Sequence, residues 1–158
     1  MKKIKLANGG FTMVDNCDYK ELSQHKWYSK AIPKLYVLRR KHKDGVRKTI
    51  LMHRQILGLT KTCVYCDHID GNGLNNVRNN LRPCTSAQNQ MNRKKGLGCS
   101  SKYKGVFHIK KHNKWLSHIT VNKKLIRLGT FNSEIDAAKC YDKNAIKFFK
   151  EFAYLNFK

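Results

Sequence analysis

The chain has 158 residues, with 33 Lys and Arg against 10 Asp and Glu, a formal net charge of +23, and 41% hydrophobic residues. That length allows one ordinary domain or two small ones, and the charge is the footprint of a protein that meets a polyanion. No apolar run approaches membrane-spanning length, and the start M-K-K-I-K-L-A-N-G-G lacks a secretory h-region, so no membrane partner and a reducing cytoplasm are expected.

The charge is unevenly spread. No acidic residue stands between Asp70 and Glu134, while Met91 to Thr130 holds eleven Lys and Arg. A solvated face is the ordinary reading of a basic run, but a stretch this long without acids repels itself unless a polyanion meets it. The six cysteines follow no disulfide-framework spacing. Cys63-x-x-Cys66 invites a zinc reading, but Cys84 and Cys99 lack the paired spacing of a second half-site.

Residues 1 to 50 read as β-structure. Phe11, Met13 and Val14 form a short apolar run, and Leu35 to Leu38, the Asp44-Gly45 turn and Val46 to Met52 read as a hairpin with basic strands. Trp27 and Tyr28 between them are assigned to packing rather than base stacking, because a small sheet needs large side chains to cover it. Residues 51 to 60 look like a short helix stopped by Gly58. His53 within it has two readings, a packed histidine or a donor to a substrate phosphate, with packing favoured.

From Cys63 to Asn92 the chain is rich in amides. Asp67-His68 ends an apolar run, Asp70-Gly71-Asn72-Gly73 reads as a turn, and Asn79 to Arg82 returns as a second strand. Thr85 then stands at an N-cap position with Gln88 as its capping-box partner, so a helix begins near Ser86 and carries Asn89 in its first turns. Two strands and a helix folded together are expected to bring Asp67, His68 and Asn89 to one surface. A carboxylate and an amide oxygen are hard donors suited to Mg²⁺ or Mn²⁺. An imidazole with an ordinary pKa of about 6.5 can take a proton from water near neutral pH.

These residues and spacings resemble the H-N-H (ββα-metal) nuclease motif in the form carried by phage homing endonucleases. The resemblance implies that Asp67 and Asn89 hold the metal, His68 activates water and Asn80 pins the hairpin. It also implies that His53 of M-H-R-Q-I-L-G-L matches a His-Arg carried upstream in that group. Asn89 stands where many members have His, a variant that favours an oxygen-seeking metal over zinc. By the same resemblance residues 1 to 50 form an N-terminal extension, the substrate is double-stranded DNA, no nucleotide cofactor is needed, and one unit cuts one strand. The setting would then be a bacterial host cell, and the oligomeric state a monomer or weak dimer.

Arg93 to Lys102, R-K-K-G-L-G-C-S-S-K, reads as a basic, flexible connection that can follow a DNA backbone. Beyond it, Val106 to Lys110, Lys114 to Val121 and Leu125 to Phe131 read as three strands, with His112-Asn113 and Asn122-Lys123-Lys124 as tight turns. Ser133 and Asp136 open a helix in which Ile135, Ala138, Tyr141, Ala145 and Phe149 fall on one stripe. Strand alternation turns Trp115, Ser117, Ile119 and Val121 toward that helix, and His118 and Thr120 away from it.

The motifs Y-K-G-V (Tyr103 to Val106), K-W (Lys114, Trp115), L-G-T-F (Leu128 to Phe131), E-x-D-A-A-x-x-Y-D (Glu134 to Asp142) and L-N-F (Leu155 to Phe157) resemble the Apetala-type, or ethylene-response-factor, DNA-binding domain. The resemblance implies a sheet that enters the major groove with the helix behind it. Arg127 then matches a groove-facing position, whereas Phe107 and Ile109 stand where plant members carry arginines. Lys110, Lys111, Lys114 and Lys124, with Arg93, Lys94 and Lys95 of the connection, are assigned to phosphates, which position without specifying sequence.

The expected fold is therefore α+β. An H-N-H nuclease domain spans 1–95, with its ββα core at 63–95. A basic connection follows at 96–102, then a three-stranded antiparallel sheet packed on one helix at 103–158. A rival from another class, a DNA-binding protein without catalysis, would be expected to have lost at least one of Asp67, His68 and Asn89, and all three are present.

Overall fold

The structure, a computed structural model, describes residues 1–32, 34–43, 45–96 and 98–157; Asp44 of the expected hairpin turn, Leu97 of the connection and the terminal Lys158 lie outside them. It is mixed α and β, with several small antiparallel sheets and short helices. No helix among the described residues is long and apolar enough to cross a membrane. The chain divides into two compact units, Met1–Asn89 and Gln90–Lys158.

Among the described residues the first unit holds three small sheets. Strands β1 (Lys2–Lys5) and β2 (Phe11–Val14) form one hairpin. After helix α1 (Asn16–Leu22), strands β3 (Tyr28–Ile32), β4 (Lys34–Lys43) and β5 (Val46–Leu51) form a meander. Helix α2 (Met52–Ile56) follows directly, shorter than the ten residues read from the sequence, and the backbone turns out of it at Gly58, whose φ of 62° suits glycine. Strands β6 (Tyr65–His68) and β7 (Leu81–Cys84) pair antiparallel, and helix α3 (Ser86–Met91) follows.

One core serves all three sheets. Ile4, Leu6, Val14, Leu22, Trp27, Val37, Met52, Ile56, Cys66 and Leu81 are buried together. Trp27 is fully buried and its indole N–H donates to the Leu22 carbonyl at 2.7 Å, which gives the one polar atom of the ring a partner. Its reading as a packing residue is thereby supported by geometry.

The second unit holds β8 (Val106–Ile109), β9 (Lys114–Val121) and β10 (Lys124–Phe131) in the sheet order β10-β9-β8, followed by helix α4 (Glu134–Phe149). The Ser133 hydroxyl caps α4 by accepting from the Asp136 N–H at 3.4 Å. Ile119, Tyr141, Ala145 and Phe149 form one apolar cluster, and Val106, Ala137 and Ala138 another that takes in Trp115 and Phe131. Ile135 departs from the expected stripe and is exposed: it sits in the first turn, at the end of the helix, and Ala137 occupies the buried face instead. Gly105, at φ 74°, lets helix and sheet close up, since a Cβ there would lie 1.9 Å from the Tyr141 ring and 2.7 Å from the His118 carbonyl.

The tail is locked by the same helix. Asp142 accepts from the backbone N–H groups of Asn156 and Phe157, both at 2.9 Å, and the Asn156 amide bridges back to both backbone groups of Lys104. The residues of three separate sequence motifs thus meet in one hydrogen-bonded knot around the buried Asp142.

Candidate active site

The positions of the nuclease-type residues follow from β6, β7 and the long connection between them. The register sets Asp67 opposite Arg82 and His68 opposite Leu81. Alternation along β6 sends the two side chains to opposite sides of the hairpin. Asp67 meets the Arg82 guanidinium, whose Nη2 and Nε donate to one carboxylate oxygen at 2.7 and 3.1 Å. His68 enters a cluster with His53, 5.0 Å away between ring centroids and nearly perpendicular, and Tyr36, at 5.9 Å. Asp67 and His68 thus have different neighbours, and both are buried, at 1% and 4% exposure.

The connection is not the tight turn read from D-G-N-G. The return strand starts at Leu81 instead of Asn79, because Arg78–Asn80 forms a 3₁₀ turn and the loop before it folds on its own amides. Asp70 accepts from the Asn72 N–H at 2.8 Å and Asn72 from the Leu74 N–H at 3.1 Å, two successive Asx turns. Asn80 closes the loop. Its amide donates to Asp70 at 2.9 Å and to the Asn75 carbonyl at 2.8 Å, while its oxygen accepts from the Asp70 N–H at 3.0 Å. Burial pushes the Asp70 carboxyl up, but the donors Asn75, Asn72 and Asn80 together outweigh it and hold it below its ordinary range.

The loop then docks on β2. The Met13 N–H donates to Leu74 O at 2.9 Å, the Asn76 N–H to Met13 O at 2.8 Å, and Met13 and Asn75 form a parallel bridge. Arg78 fixes the other side through a two-point ion pair with Asp18 at 2.6 and 2.8 Å and a backbone bond to Asp15. Gly73 is required where the same loop passes β4, since a Cβ would fall 1.8 Å from the Leu35 carbonyl.

Asn76 is the site residue that sequence reading missed. Its side-chain oxygen lies 3.3 Å from His68 Nε2, and its amide nitrogen donates to Thr12 Oγ1 at 2.9 Å and Gly73 O at 3.2 Å. It is fully buried. The signal for it, an amide in an amide-rich loop, does not stand out among Asn72, Asn75, Asn79 and Asn80.

His53 is buried against Tyr36 and His68. Burial, helped by the neighbouring His68 and Arg54, pushes its pKa down to about 3, so it stays neutral at physiological pH. The next residue, Arg54, is structural: its guanidinium donates to the carbonyls of Leu59 at 3.1 Å and Lys61 at 2.7 Å and also to Val64 O, bracing the approach to β6.

Asn89 lies half-buried in α3, and the capping box that starts this helix is present in both directions. The Gln88 N–H donates to Thr85 Oγ1 at 3.2 Å, and the Thr85 N–H to Gln88 Oε1 at 2.8 Å. Among the described residues no group of three or more His, Cys, Asp or Glu side chains comes together to hold a metal. A carboxylate and an amide completed by water and phosphate is a donor set that fits Mg²⁺, which keeps much of its hydration and takes few protein ligands. Of the Cys63-x-x-Cys66 pair, Cys63 is exposed while Cys66 is buried, its thiol pushed up to about 12 by burial first and then by Cys84 and Asp67.

In the second unit, the outer face of the sheet carries Phe107, Leu116 and Thr130 in one row and His118 beside Arg127 in another. Thr120, Arg127, Lys110, Lys111, Lys114 and Lys124 are exposed, as are Arg93 and Lys94. His118 is half-buried, and burial, then the charge of Lys95, lowers its pKa. Lys95 departs from its phosphate assignment. Its ammonium donates to Tyr103 O at 2.6 Å and Val106 O at 2.8 Å, which uses two of its three protons inside the unit. The connection read as flexible is also fastened, since Ser100 Oγ accepts from the His108 N–H and Ser101 Oγ from the Tyr103 N–H, both at 3.0 Å.

No family model matches the chain. An uncharacterized HNH endonuclease of Acanthamoeba polyphaga mimivirus is 31% identical over 152 residues, covering 95% of this chain and 76% of that protein. A match at that level along nearly the whole chain shows that the chain belongs to the HNH endonuclease family.

Proposed function

We propose that the chain is a site-specific homing endonuclease that hydrolyses phosphodiester bonds of double-stranded DNA, nicking one strand per active site. The observation that carries this reading is the Asp67-His68 pair closing β6, with β7 and a capped helix bearing Asn89 behind it, in a chain of the HNH endonuclease family.

Asp67 and Asn89 would hold a Mg²⁺ or Mn²⁺ ion, which would supply charge stabilisation to the phosphate. His68 is the general base. Asn76 Oδ1 can only accept, so in the neutral ring the proton sits on Nε2 and the lone pair is on Nδ1. Nδ1 takes the proton as the water oxygen bonds to phosphorus. The bond from phosphorus to the 3′-oxygen then breaks and that oxygen takes a proton from solvent water, leaving 5′-phosphate and 3′-hydroxyl ends. Because Asp67 and His68 are covered in the free protein, substrate binding has to uncover them. Neutral His53 and Tyr36 wall the imidazole and keep it from competing charge.

The second unit supplies affinity in this reading, its outer sheet face set into the major groove. The support is the exposed cations of this unit, Arg127 on that face and Lys110, Lys111, Lys114 and Lys124 at its turns and strand ends, and the hydrogen-bonded knot tying Asp142 and Asn156 to Lys104, with Tyr141 packed on Gly105. The test is incubation of the protein with host genomic DNA and Mg²⁺, followed by mapping of ends. Recurrent ends at one locus that vanish in EDTA and with His68→Ala support the reading; random or absent cleavage overturns it.

A further inference from the structure

Strand β2 reaches the candidate base through a closed hydrogen-bond chain. The Thr12 hydroxyl donates to Leu74 O at 2.8 Å and is therefore left to accept from Asn76 Nδ2 at 2.9 Å. The same Nδ2 group donates its second proton to Gly73 O at 3.2 Å, and the carbonyl end of the amide faces His68 Nε2 at 3.3 Å. Thr12 and Asn76 are both fully buried, so no water competes for these groups. Two backbone carbonyls can only accept, the hydroxyl has a single proton to give, for which Met52 Sδ at 3.9 Å is a weaker acceptor than Leu74 O, and the amide has two.

We propose that Thr12 and Asn76 are positioning residues that fix the tautomer of His68, with the Thr12 hydroxyl holding the Asn76 amide in the orientation that keeps the imidazole proton on Nε2. The proposal rests on the reading of His68 as the base. A flipped amide would present N–H groups to Nε2, drive the ring proton to Nδ1, and occupy the nitrogen needed to take a proton from water. Thr12 thus acts through Asn76 and touches neither substrate nor metal. Its own strand position, 56 residues before His68, gives no hint of this from spacing.

The test compares full-length Thr12→Val, Thr12→Ser and Asn76→Asp with the wild type, with ring tautomers read from long-range proton–nitrogen NMR spectra and cleavage rates measured in parallel. In the wild type His68 carries its proton on Nε2. Thr12→Val, of the same shape but without the hydroxyl, shifts the ring toward the Nδ1-protonated form and slows cleavage on the order of 10-fold to 10⁴-fold, the range open to an imidazole held in the wrong tautomer. Thr12→Ser keeps both properties. Asn76→Asp, whose carboxylate cannot be turned into a donor, keeps the proton on Nε2, and so decides the matter if Thr12→Val does not fold. A wild-type ring protonated on Nδ1, or a folded Thr12→Val with wild-type tautomer and rate, overturns the proposal. If His68→Ala cuts normally, the base assignment falls while the NMR readout still judges the Thr12–Asn76 chain.

Discussion

Arg82 pairs with Asp67 at 2.7 Å where neither side chain meets much solvent, the carboxylate being fully buried and the guanidinium 15% exposed. Removing one member of a buried pair strands the other. Arg82→Ala is expected to cost about 3–5 kcal/mol in a urea melt, whereas the Arg78–Asp18 pair, whose guanidinium is 49% exposed, is worth under about 1 kcal/mol. Equal losses for Arg82→Ala and Arg78→Ala would show that burial does not set the strength of the Asp67 pair.

Cleavage should depend on three side chains in different ways. His68→Ala is expected to lose 10² to 10⁴-fold in rate, about the worth of a general base, with DNA affinity nearly unchanged in a gel-shift assay. Asp67→Ala and Asn89→Ala should lose the response to added Mg²⁺, and EDTA should stop the wild type. Activity that survives EDTA removes the metal from the mechanism.

Asn80 makes three hydrogen bonds that close the 69–80 loop. Asn80→Ala should therefore destabilise the first unit by about 1–3 kcal/mol, in line with loss of partly buried hydrogen bonds, and lower activity with it. Full stability in a thermal melt combined with lost activity would assign Asn80 a direct part in the chemistry.

Acid should weaken the first unit through His53. Its folded pKa lies near 3 against about 6.5 when unfolded, so the unfolded chain binds the proton first and stability falls as pH drops from about 6.5 toward 3. The depressed Asp70 acts in the same direction over its own lower range. His53→Phe should flatten the denaturation midpoint between pH 6.5 and 4; an unchanged slope would mean that another group carries the acid sensitivity.

On the outer sheet face Phe107, Ile109, Leu116 and Arg127 border a shallow concavity of about 490 Å³. Arg127 can read a guanine edge, and apolar side chains can pack against thymine methyl groups. Arg127→Ala should relax sequence preference at a cost of about 1–3 kcal/mol. Lys111→Ala should weaken all duplexes alike and lower the log–log salt slope by roughly 0.9. Exchanging target thymine for deoxyuridine should weaken wild-type binding more than it weakens Phe107→Ala. If the two proteins respond equally, Phe107 does not touch a methyl group.

Periodic segments were legible from sequence. The three strands of the second unit lie within a residue of their expected bounds and its helix starts at the expected Ser133 cap, because alternation and a capping residue are local signals. The capping box at Thr85 was legible for the same reason. Strand β1, with a single apolar residue inside K-K-I-K, and the seven-residue α1, which buries only Leu22, carry too little periodicity to be read. The partners of the site residues were not legible either. Arg82 meets Asp67 through strand register, Asn76 meets His68 through a loop that docks on β2, and Tyr36 reaches both histidines from a separate sheet. Such contacts depend on tertiary placement, which no local pattern encodes.

The bridge between Met13 and Asn75 limits what can be grafted. A stretch cut at Cys63 would keep the Asp67-His68 pair and Asn89 but discard the strand that receives the amide loop, together with Ile4, Leu6 and Val14 of the shared core. The smallest transplantable cutting module therefore begins near Met1. Chimaeras that exchange target specificity should be joined after α3, leaving the first 89 residues whole.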